Sequence, residues 1–109
     1  MKLNDLAREC HSIATRKGWY DTSRSFPEMI ALFHSELSEA LEAYREGSSL
    51  SSVSEGASGK PEGVPIELAD LLIRVLDTCC FYKIDIDEAL ALKMRYNRTR
   101  PYRHGNKTC

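Results

Sequence analysis

Between Pro65 and about Lys83 the chain reads as a helix that is apolar almost all the way round. Ile66, Leu68, Leu71, Leu72, Ile73, Val75, Leu76, Cys79, Cys80 and Phe81 cover nearly its whole circumference. A helix with no polar face belongs in an interior. A chain of 109 residues forms one small domain with a modest core. It does not easily enclose such a helix alone, so the pattern predicts a helical domain with a subunit interface.

The remaining periodicity is helical too. Leu3, Leu6, Ala7, Cys10, Ile13 and Ala14 recur at helical spacing, and Gly18 stops that run after Lys17. Ser25-Phe26-Pro27-Glu28 has the pattern of a capping box with Pro in the first turn. It predicts a second helix to about Glu46, with Ile30, Phe33, Leu37, Ala40, Leu41 and Tyr44 as its core stripe and Gly47 as its stop. Asp85 and Glu88 predict the start of a fourth helix, running to about Asn97. Residues 47–64 are rich in Ser and Gly and hold no clear period, which predicts a mobile loop or a lid. Residues 98–109 form a basic tail. The expectation is one all-α domain over residues 1–109, a four-helix bundle with no strand.

Two acidic signatures stand on these helices. Glu36-Leu37-Ser38-Glu39 lies on the second and Glu67-Leu68-Ala69-Asp70 on the third. Carboxylates three residues apart share a helix face, and left unpaired each pair costs a few tenths of a kcal/mol. Two such pairs on successive helices call for a cation between them. Mg2+, with Mn2+ as a substitute, prefers carboxylate oxygens and keeps waters that a reaction can use. A carboxylate-bridged di-iron site would need Glu-x-x-His on two helices, and His11, His34 and His104 stand in no such pattern. Arg74 shares the face of Glu67 and Asp70, and Asp77 is placed nearer the opposite side.

Net charge is −1, which argues neither for nucleic acid nor for a membrane surface. Its distribution is uneven. From Glu28 to Asp70 only Arg45 and Lys60 oppose nine acids, whereas Lys93 to Lys107 holds Lys93, Arg95, Arg98, Arg100, Arg103 and Lys107 with no acid. An acidic middle and a basic end suit an anionic ligand that arrives with a metal. Lys93 and Asn97 lie four apart on one helical face, with Arg100 just beyond, and are candidates for phosphate and sugar contacts. Trp19 and Tyr20 can stack on a base or cap the core. His34, two residues before Glu36, is a candidate contact to base or ligand. Cys10, Cys79, Cys80 and Cys109 have no zinc-ligand spacing, and Cys79 and Cys80 read as small buried hydrophobes. No stretch reads as a signal peptide or a membrane span, and the expected location is a reduced cytoplasm.

These motifs resemble the MazG-like branch of the all-α nucleoside triphosphate pyrophosphohydrolases, whose pattern is ExxE, a variable spacer, then ExxD. Here these are Glu36/Glu39 and Glu67/Asp70 with the Ser/Gly segment as spacer, and Lys-Met-Arg-Tyr-Asn-Arg at 93–98 looks like the family's K…N element. The similarity spans about residues 26–104. It implies Mg2+-dependent hydrolysis of (d)NTP to (d)NMP and pyrophosphate by a homodimer or homotetramer. By matching position, Glu36, Glu39, Glu67 and Asp70 take the metal roles, and Lys93 and Asn97, with Arg100, the nucleotide contacts. Of the carboxylates, Glu36 is the first candidate for general base, with Glu39 close behind. Phosphoribosyl-ATP pyrophosphatases share the scaffold, but the long loop and the Arg-Pro-Tyr-Arg-His-Gly end look less like them. A non-catalytic helical module that binds a nucleotide or a protein is the reading from another class.

Overall fold

The computed structural model describes residues 2–103, so the expected turn at His104-Gly105 and the rest of the basic tail lie outside the described residues. Four helices carry the fold: α1 (Leu3–Arg16), α2 (Phe26–Arg45), α3 (Val64–Phe81) and α4 (Ile86–Thr99). The capping box at Ser25 forms. The Ser25 hydroxyl accepts from the Glu28 amide at 3.3 Å and the Glu28 carboxylate accepts from the Ser25 amide at 3.1 Å. Asp85 caps α4 by accepting from the Glu88 amide at 3.0 Å. Gly18 and Gly47 follow α1 and α2 at φ 87° and 95°, where only glycine is unstrained, and the chain turns back there. α3 has no such glycine. It ends at Phe81, and Lys83 takes the left-handed position itself at φ 58°.

The start of α1 shows a contact that spans most of the sequence. Lys2 provides no side-chain cap. Asp87, in the first turn of α4, accepts from the Leu3 amide at 2.8 Å and the Asn4 amide at 3.0 Å. Asn4 returns the contact: its carbonyl oxygen accepts from the Ile86 amide at 3.1 Å and its amide donates to Asp85 at 2.8 Å. Each helix thus satisfies orphan donors of the other.

α1 and α2 both pack on α3, and α4 joins through α1. The central buried cluster is Ala7, Cys10 and Leu76, with Leu3, Cys80 and Ile86 against it. An aromatic group closes the end where the α1–α2 connection meets α3: Tyr20 stacks on Phe81 at 4.7 Å between ring centroids, and Phe26 meets Tyr82 edge-on at 5.3 Å.

Two expectations need correction. The 47–64 segment contains a small antiparallel hairpin, Ser54–Glu55 paired with Pro61–Glu62. Strands of two residues leave no alternation for a sequence pattern to show. The stripe assigned to the core of α2 is also half outside: Leu37, Leu41 and Tyr44 are 47–57% exposed. α2 instead turns Met29 and Glu36 inward, each 6% exposed. α3 likewise leaves Leu68 and Leu72 exposed, and α4 buries no residue. No helix among the described residues is long and apolar enough to cross a membrane.

Candidate metal and nucleotide site

α2 and α3 bring three of the four predicted carboxylates together. Oxygens of Glu36, Glu67 and Asp70 lie within 4.8 Å of one another. Glu39, the fourth, is exposed and lines an open, acidic cavity of about 390 Å³ with Glu67, Asp70, Glu42, Glu46 and Glu62. Lys60, carried by the hairpin connection, is the one cation among the described residues that line it.

Burial and like charge act together on the ionisation of this cluster. Burial, then the nearby Glu39 carboxylate, then Asp70 and Glu36, push the Glu67 carboxyl above its usual range. Asp70 is exposed as a residue, yet desolvation of its carboxylate and the charge of Glu36 push it up too, against the opposing pull of Arg74 and Lys60. Glu36 is the most buried of the set. One oxygen accepts from Arg74 Nε at 2.6 Å, and the other, Oε2, is buried with no hydrogen-bond partner among the described residues. A buried carboxylate oxygen without a donor is costly. Three clustered carboxylates, the most buried of them with one oxygen unpartnered, are a hard-oxygen donor set that fits Mg2+ or Mn2+.

Asp70 also lines a second cavity, of about 310 Å³. Trp19, Tyr20, Arg24, Glu36, Ile73, Arg74 and Asp77 line it as well. Asp77 is therefore on the face of Asp70 and Arg74. Seven residues is nearly two turns, so residues 70 and 77 share an angle, and the placement on the opposite side is corrected. Trp19 is 44% exposed and has two guanidinium groups on its ring, Arg24 and Arg74, each 5.0 Å from the centroid. Tyr20 stacks on Phe81 and lines the cavity, its hydroxyl buried near Asp77. Burial and then the nearby Asp77 carboxylate push its ionisation well up. His11 Nδ1 stands 2.8 Å from Asp77 Oδ1 behind the cavity wall.

The other predicted residues lie elsewhere. His34 is exposed on α2 and lines neither cavity. Lys93, Asn97 and Arg100 line neither cavity, and both cations instead rest over Tyr96, at 5.1 and 5.5 Å. Arg24, Arg74, Asp77 and His11 were missed as site residues. The i, i+3, i+7, i+10 run of Glu67, Asp70, Arg74 and Asp77 was the available signal for two of them; Arg24 and His11 gave none, because folding alone brings them there. No protein-family model, curated protein or solved structure matches the chain, so what the site does is argued from its residues and their geometry.

Proposed function

We propose that the protein is a Mg2+-dependent nucleotide pyrophosphohydrolase of the MazG-like kind, cleaving the α–β bond of (d)NTPs to (d)NMP and pyrophosphate. The observation that carries this reading is the Glu36–Glu67–Asp70 cluster, with its orphaned Glu36 oxygen, beside a cavity that presents an exposed tryptophan. Glu36, Glu67 and Asp70 would hold the metal. Bound there, Mg2+ would neutralise phosphate charge and lower the pKa of an attacking water. Trp19 offers a ring face to a base. Glu39, open to solvent at the rim, is better placed than Glu36 to orient and deprotonate a water, since Glu36 is buried and engaged by Arg74.

Lys93, Asn97 and Arg100 fit this reading through assembly. The exposed apolar faces of α2, α3 and α4 support a homodimer or homotetramer, with the four-helix bundle completed between copies. In that assembly the basic α4 meets phosphates at a site its own chain does not offer it.

One observation favours a second reading. The Arg74–Glu36 pair neutralises Glu36 without any metal, as a helical binding module with purely structural charges would require. Product analysis separates the two. Purified protein is incubated with Mg2+ and each common NTP and dNTP, and products are resolved by ion exchange, with Glu39→Gln as control. Monophosphate and pyrophosphate, absent in the control, are expected. Diphosphate and phosphate would mean another bond and another mechanism. No turnover, together with a melting temperature indifferent to Mg2+, would leave the binding module.

A further inference from the structure

We infer that Arg74 is a tethered counter-ion that holds Glu36 in place of the metal and gives it up when a divalent cation binds. The inference rests on the reading of Glu36, Glu67 and Asp70 as a metal site. Arg74 lies one turn after Asp70 on α3, and its Nε donates to Glu36 Oε1 at 2.6 Å. Glu36 is buried, and its side chain shows 7% exposure against 28% for Arg74. A buried carboxylate is strongly disfavoured once its charged partner is removed. The guanidinium is that partner but satisfies one oxygen only, leaving Oε2 without a donor among the described residues. A divalent ion shared with Glu67 and Asp70 is the better partner for both oxygens, and it repels the guanidinium.

Arg74 has somewhere to go. Its guanidinium already rests on Trp19, 5.0 Å from the ring centroid, in a cavity that Asp77 and Arg24 also line. Released from Glu36, it moves within that cavity toward the Asp77 carboxylate, and its stack on Trp19 changes. Arg74 lies in the interior of α3, whose helical hydrogen bonds hold its backbone, so the change falls on the side chain. Two cations competing for one carboxylate are coupled reciprocally: what Arg74 costs the metal, the metal costs the Arg74–Glu36 pair.

Trp19 is the only tryptophan in the chain, so its emission reports the guanidinium stacked on it. Mg2+ is titrated into wild type, Arg74→Gln and Glu36→Gln at constant ionic strength. Binding is read by calorimetry and Trp19 by fluorescence, with circular dichroism checking the fold. In wild type the emission is expected to change with the same midpoint as the heat. Arg74→Gln is expected to bind Mg2+ about five- to tenfold more tightly, with emission that no longer follows the metal. Glu36→Gln is expected to lose both signals. An Arg74→Gln affinity equal to or weaker than wild type overturns the displacement. So does tighter binding alongside a wild-type emission that ignores Mg2+, since a field effect alone leaves the stack in place. Absence of any Mg2+ heat in wild type overturns the metal site itself. If Arg74→Gln does not fold, Arg74→Lys takes its place: a point charge without the planar fork holds Glu36 less firmly, and about two- to threefold tighter Mg2+ binding is expected. Binding no tighter than wild type would then overturn the displacement.

Discussion

Glu67 carries an ionisation pushed up by burial and by the carboxylates around it, and this makes it a liability to the metal-free protein. The sign follows from linkage. A carboxyl whose folded value is raised stabilises the fold at low pH, and that contribution is lost as pH rises through the folded value. Glu67→Gln mimics the protonated side chain. Without metal, the variant should melt with wild type near pH 4 and above it at pH 7, by about 3 °C if a few tenths of a kcal/mol of repulsion are removed. Mg2+ should stabilise wild type and not the variant. Thermal melts across pH with and without Mg2+ check both statements, and a variant less stable at pH 7 would refute the first. The depressed Glu28 and Asp85 carboxylates work the other way, losing their contribution as pH falls through their folded values, and they are common to both proteins. A second residue-scale prediction concerns Lys83, which pays for its left-handed backbone at the end of α3. Lys83→Gly removes that strain but gains unfolded-state freedom, and a net stabilisation of about 0.5 kcal/mol is expected in denaturant unfolding. At this scale the acidic pairs were legible, because three-residue spacing on a helix is a local property. The Arg74–Glu36 pair was not, because its members stand 38 residues apart on different helices.

Among the elements, α1 and α4 depend on each other's first turns. Asp87→Ala removes both acceptors from the start of α1, and a loss of about 1–2 kcal/mol is expected, in the range of strong helix caps. Asn4→Ala should cost a comparable amount from the other side. The double variant should lose less than the sum, since each side chain helps hold the other helix end in place. Chemical denaturation of the four proteins measures the coupling, and strict additivity would show that the two caps act independently. The caps at Ser25 and Asp85 were readable from sequence because donor and acceptor lie three residues apart. The Asn4–Asp87 exchange was hidden for the opposite reason. The α2 stripe misled for a related one: periodicity shows which residues share a face, not which neighbour that face meets. α3 took the Met29–Glu36 side, and the more apolar side was left outward.

Taken whole, the single chain is spread. Its radius of gyration is 16.6 Å, against about 13 Å for a compact domain of this length. Leu72 at 62% exposure, with Leu68, Leu41 and Tyr44, offers apolar surface that water disfavours. Sedimentation should therefore give a mass that is a multiple of 12.3 kDa, and Leu72→Asp should lower it while the helical signal persists. A monomeric wild type would remove the assembly and, with it, the proposed role of Lys93 and Asn97. The contact between residues 4 and 87 carries a further consequence, for the order in which the molecule is made. A chain leaves the ribosome N-terminus first, at about 5–20 residues per second. α1 thus emerges before α4, and the acceptor for its first amides is synthesised about 4–17 s after them. Vectorial synthesis delivers α1 long before it delivers the residue that caps it.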